Sequence, residues 1–135
     1  MTIIVRDTGF AGEDWPHGFA ALDDGTDNVS ALDLPSDTDP DAVIDRLSGV
    51  KLVRIAFPSF ADGRGFTIAR TLRRKGYTGR LRAAGHVLAD QYAMARRSGF
   101  DEVEIDEALA ARQPEPQWLA RADWQSHNYQ SRLRG

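Results

Sequence analysis

Five segments alternate along residues 51–105 and leave little choice of fold. Lys51–Phe57, Arg80–Ala84 and Asp101–Ile105 are short and alternate apolar with polar side chains, as half-buried strands do. Between them, Arg64–Lys75 and Val87–Arg97 carry apolar residues at helical spacing, and Gly76 and Gly99 stop them. Each connection is too long for a hairpin and long enough for a helix, so the strands are expected to run parallel as βαβ units. The expected fold is a small single α/β domain, either an open sheet or part of a β/α barrel.

The flanks add less. Ile3–Val5 starts a strand, 6–28 reads mainly as loop with a turn at Asp23–Asp24–Gly25, and Val29–Leu34 alternates as a short strand. Asp39 caps a helix that has Pro40 at its first position, an inner stripe of Ala42, Val43, Ile44 and Leu47, and Gly49 as its stop. The later helix over Val87–Arg97 turns Val87, Leu88, Gln91 and Ala95 inward. Glu107–Arg112 forms a last short helix before Pro114 and Pro116. This divides the chain into one α/β domain over 1–116, with a loop-rich arm (1–50) and a core (51–106), and a tail over 117–135. Trp118, Trp124 and Tyr129 are expected to anchor that tail on the body.

Alternation puts Val53, Ile55, Phe57, Leu81, Ala83, Val103 and Ile105 on one face of the sheet, and Arg54, Arg82 and Glu104 on the other. Parallel strands covered on both sides usually read as continuous apolar runs. A buried row of charges carries a large desolvation cost. The expectation is therefore a partly covered face, sheltered by a second subunit or by the aromatic tail, and a homodimer is one outcome.

The net charge of −3 conceals an asymmetry. Residues 1–50 hold 11 acidic and 2 basic side chains, 51–100 hold 2 acidic and 11 basic, and 101–135 hold 7 acidic and 4 basic. The acidic arm can neutralise the basic middle, or the middle can serve an anion. No nucleic-acid motif accompanies it. The chain has no cysteine, which excludes disulfides, thiolate catalysis and Cys-ligated metal. His17, His86 and His127 are far apart and show no metal-ligand spacing. No apolar run reaches membrane-spanning length, no signal-peptide pattern opens the chain, and a cytoplasmic address is expected.

Sites in open parallel sheets lie at the carboxyl ends of the strands. There the sequence places Asp62, Gly63, Arg64 and Gly65 before one helix, and His86, Asp90 and Gln91 at the start of the next. Backbone N–H groups at Gly63 and Gly65, with the Arg64 guanidinium, can face a sulfate, sulfite, phosphate or carboxylate. Arg82 and Asp90 join this anion-binding set, and His86 is the candidate proton donor. An alternative reading makes Asp62 a helix cap, the glycines a turn and His86 a packing residue. Ser59, His86 and Asp62 lack the nucleophile-elbow sequence a hydrolase would need. No dinucleotide fingerprint, flavin motif or metal set indicates a cofactor.

The segment FPSFADGRGFTIARTLRRKGYTGRLRAAGHVLADQYAMARRSGF, Phe57–Phe100, resembles the bacterial domain-of-unknown-function family 934. The FP-x-F-x-DGRG run, Gly76–Tyr77, Leu81–Arg82–Ala83 and Asp90–Gln91 carry the likeness. Members are described as oxidoreductases and placed in sulfite reduction by gene neighbourhood. The resemblance implies an accessory role in sulfur assimilation, with sulfite reductase or another enzyme of that pathway as partner. An enzyme acting on a sulfur oxyanion or nucleotide-linked sulfate, and a purely structural dimeric module, are the other readings. Ser98 stands where relatives often carry cysteine, so thiol chemistry is not implied here.

Overall fold

Four parallel strands lie side by side in chain order, and this sequential order shapes the molecule. The computed structural model describes residues 2–22 and 29–125. Strands β4 (Ala31–Leu34), β5 (Leu52–Phe57), β6 (Arg80–Gly85) and β7 (Glu102–Asp106) form the centre of a seven-stranded sheet. Its order is β2-β1-β7-β6-β5-β4-β3, with β1 (Thr2–Arg6) and β2 (Gly9–Ala11) antiparallel and β3 (Ala20–Ala21) parallel to β4. Right-handed crossovers between strands taken in sequence place every crossover helix on the same face. Those elements are α1 (Pro40–Val43, continued by a 3-10 turn over Ile44–Leu47), α2 (Arg64–Arg74) and α3 (Tyr92–Ser98, preceded by a 3-10 turn over Ala89–Gln91). Helices α4 (Glu107–Arg112) and α5 (Glu115–Leu119) follow β7.

The sheet residues expected on the inner face line the core, and β1 adds Val5. Helix α2 supplies Phe66, Ile68, Ala69 and Leu72, and the rings of Phe57, Phe66 and Phe100 meet edge to face. Gly65 is required by this packing, because a Cβ there would stand 2.5 Å from the Phe57 ring. Asp39 caps α1 by accepting from the Asp41 N–H. Gly99 ends α3 at a φ of 114°, a value costly for other residues.

Several expectations are corrected. The segment 6–22 is mainly loop as expected, but it holds two short strands that were not foreseen, since Asp7 and Thr8 turn β1 back into β2, and Ala20–Ala21 adds an edge strand. The turn expected at Asp23–Asp24–Gly25 lies outside the described residues. The helix expected from Val87 starts as a 3-10 turn, which shifts its phase, so Tyr92 rather than Gln91 is the buried side chain. The charged face is buried at Arg82 and Glu102, which are almost wholly inaccessible, and only partly covered at Arg54 and Glu104, whose side chains stay 25% and 17% exposed. What covers the Arg82 end is the irregular segment 12–19, while the described aromatics of the tail, Trp118 and Trp124, pack elsewhere.

That segment joins the two edge strands across the helix-free face. A flat sheet would set β2 and β3 about 29 Å apart, at roughly 4.8 Å per strand spacing. Nine residue steps reach about 30 Å only when fully extended, yet this stretch contains a turn at 16–17 and a left-handed Gly18. The sheet must therefore curl toward the segment, leaving the helices on its convex side.

Trp118 docks on that convex layer, with its ring edge-on to Tyr92 and Nε1 donating to the Gln113 carbonyl at 2.7 Å. Trp124 lies under Arg96 and donates to Asp7. Tyr129 and His127 lie outside the described residues. With Trp118 only 1% exposed, Trp118→Ala is expected to cost about 3–5 kcal/mol, measured by urea unfolding. A loss below about 1 kcal/mol would show that the tail is not part of the folded unit.

Candidate functional site

Two polar assemblies stand out, one on the concave face and one at the carboxyl rim of the strands. On the concave face Arg82 projects from β6, where Nε donates to Glu102 at 2.6 Å and NH1 to Glu104 at 2.9 Å. Glu13 grips the outer edge of the same guanidinium at 2.7 and 2.9 Å. Glu102 also receives Arg80 and Arg6, while Arg54 links Asp33 to Glu104. Asp14 bridges Arg6 and Arg80. Among the described residues no buried side-chain polar atom lacks a partner, which is the condition under which such a network is tolerable. Its carboxylates hold Arg82 charged against the burial that opposes charge. Arg82 therefore sits inside the network rather than at the rim with Arg64.

The rim is built by the loops that follow β4, β5 and β6 and by the start of α4. The His86 N–H donates to the Phe57 carbonyl at 2.9 Å, and its Nδ1 lies 3.1 Å from the same oxygen. A carbonyl only accepts, so Nδ1 carries the proton and Nε2 is the free nitrogen. Gly85 makes the turn at a φ of 113°, and a Cβ there would stand 2.7 Å from that carbonyl. The His86 ring meets Phe60 edge to face at 4.9 Å. Gln91 ties the two loops together, accepting from the Leu88 N–H and donating to the Phe60 carbonyl.

Beside His86 lies a cavity of about 190 Å³ that Thr2, Phe60, Asp106 and Arg112 also line. Asp106 is engaged as the cap of α4, and Glu104 with Arg54 and Arg82. Arg112 makes no ion pair or hydrogen bond among the described residues, a residue the sequence reading passed over. An open groove of about 690 Å³ adjoins this cavity through Gly85 and Glu104, with Leu34, Ala56 and Ala84 on its floor. A third hollow, of about 720 Å³ around Lys51 and Tyr77, lies at the amino ends of the strands, the end that carries stability rather than chemistry in folds of this type. Burial there pushes Tyr77 up to about 12.

The other expected site residues are placed as follows. Arg64 is held by Asp62 through two contacts of 3.0 and 2.8 Å and reaches Ser36 at 2.8 Å. The Arg64 guanidinium and backbone N–H hold the Asp62 carboxyl far below the usual carboxylate range. Gly63 is the cap position of α2. Asp90 points outward to Arg121 at 3.0 Å and reaches neither Arg64 nor Arg82. His86 and Gln91 thus share the rim, and the Asp62–Gly65 loop belongs to the same edge. Arg82 and Asp90 are elsewhere.

The concave network makes stability depend on pH. Burial alone raises Glu13 and Asp14, but hydrogen bonds and charge from Arg82, Arg80 and Arg6 outweigh it, and both lie below their ordinary 4.5 and 3.8. Carboxylates lowered in the folded state add stability that is complete above those ordinary values and is lost as pH falls through the folded ones. Glu13→Gln with Asp14→Asn is expected to weaken the protein at neutral pH, and the gap from wild type to narrow as pH falls below the ordinary carboxylate values. Urea unfolding across that range reads it, and a gap that persists in acid would rule out this coupling.

No curated protein and no solved structure matches the chain. A family model described as a bacterial protein of unknown function (DUF934) matches residues 31–135, which takes in β4 to β7, every crossover helix and the rim. The chain belongs to this bacterial family of unknown function.

Proposed function

We propose that this protein is a cytoplasmic accessory protein of assimilatory sulfite reduction that takes a small sulfur oxyanion at the rim and works beside the reductase. The observation that carries the oxyanion reading is the small cavity at the strand carboxyl ends, bordered by His86, whose Nδ1 is used on the Phe57 carbonyl, and by Arg112, which makes no ion pair or hydrogen bond among the described residues. A guanidinium with an imidazole beside it suits a compact anion. Phe60 shelters one side, and Gln91 holds the Phe60 carbonyl. The pathway rests on the family resemblance.

A catalytic use of the same cavity is a second reading. It is favoured by the tautomer of His86, whose Nε2 is left free to accept or return a proton. It requires turnover by the purified protein and loss of that turnover in His86→Gln.

The binding reading is tested by thermal unfolding with sulfite and sulfate. Either anion should raise the wild-type midpoint. Arg112→Ala should abolish the rise while leaving the unliganded midpoint within about 1 °C, as expected of an exposed side chain. Arg64→Ala should keep the response, because Arg64 is already bound to Asp62. An Arg112→Ala protein that responds as wild type does would remove the site from the rim. Retention of sulfite reductase on the tagged protein at low salt, weakened by added salt, reads the pathway part.

A further inference from the structure

The segment 12–19 is fixed at each end by an edge strand and crosses the concave face as a strap. Its grip on the sheet is electrostatic. Glu13 holds Arg82 with both oxygens, Asp14 bridges Arg6 and Arg80 at 2.7 and 2.6 Å, and Phe19 lies 3.7 Å from the Arg54 guanidinium. Trp15 spends its indole N–H within the strap, on the Gly18 carbonyl, and meets His17 edge to face. The side chains of Glu13 and Asp14 remain 32% and 48% exposed, so an incoming acid can compete for their contacts one at a time.

Beneath the strap the sheet is short of negative charge. Arg6, Arg54, Arg80 and Arg82 meet three sheet carboxylates, those of Asp33, Glu102 and Glu104. The family match contains Arg54, Arg80, Arg82 and all three of those carboxylates, whereas the strap lies outside it. The arginine row spans β1, β7, β6 and β5, three strand spacings or about 14 Å. A single small oxyanion cannot bridge that distance, but an extended peptide of four or five residues does.

We infer that this arginine row is a docking surface for an extended acidic segment of a partner protein, and that the strap is an internal copy of that ligand. The recognition element is two adjacent acids followed five residues on by an aromatic, as in Glu13–Asp14 and Phe19. The acids take the guanidinium edges two-pronged, and the aromatic stacks on Arg54. Being tethered, the strap competes at high effective concentration, so a partner succeeds only where it binds better or engages a second surface as well. The inference does not rest on the rim cavity.

The test uses the full chain carrying Glu13→Gln and Asp14→Asn, and a fluorescent peptide of residues 11–20 added in trans. The peptide should bind this variant at least about tenfold tighter than wild type, where the tethered strap competes. Binding should weaken several-fold when salt rises from about 50 to about 300 mM. A peptide with Gln and Asn in place of its two acids should not bind. Equal binding to variant and wild type overturns the inference, and so does complete displacement by millimolar inorganic sulfate, which would mark a small-anion site. If the double variant does not fold, Phe19→Ala, which keeps every carboxylate, carries the test. It should bind the peptide at least about threefold tighter than wild type, and no gain overturns the inference.

Discussion

The guanidinium of Arg82 is the constraint around which the rest is arranged. A charge with no solvent exposure is tolerable only when its hydrogen-bonding edges are filled. Three carboxylates fill them, from β7 (Glu102 and Glu104) and from the strap (Glu13). This demand helps set the pairing of β6 with β7, since a slip of one residue would turn Glu102 and Glu104 to the apolar side. It also accounts for the absence of a helix on that face among the described residues, where an apolar helix would strip partners from the charges. Hydrophobic side chains of the same volume would often serve stability as well or better.

How much could be read beforehand depended on the range of the forces involved. The βαβ order, the stops at Gly76 and Gly99 and the cap at Asp39 are local signals, and the structure follows them. The hairpin at Asp7–Thr8 was missed because Gly9–Ala11 is too short to show a period, and its pairing is settled by contact with β1 and α5. The full burial of Arg82 was misjudged because its solution is non-local. Glu13 lies 69 residues from Arg82, and nothing in the spacing of either announces the pair.

The rim shows the same division. The junctions at Gly63 and Gly85 were visible as loop-to-helix boundaries. That Asp62 takes the charge of Arg64, and that Asp90 turns to Arg121, depends on rotamers that spacing does not determine. Arg112 escaped notice because it stands at the end of an unremarkable short helix, and α4 brings it beside His86 only once β7 is in place. Gly65 carried a double meaning. It reads as a flexible anion loop, yet the space its Cβ would need is filled by Phe57.

The pairing of β1 with β7 has a consequence for how the chain is made. Ile4 lies opposite Glu104, a separation of 100 residues, so β1 waits for a partner strand that is made about 100 residues later. Until then the β1–β2 ribbon has an open hydrogen-bonding edge, and an isolated two-stranded ribbon is marginal in water. Sequence-distant closure of this kind slows folding. The nascent chain can assemble its βα units in order from β4, but the sheet is sealed only by a late return of its own beginning.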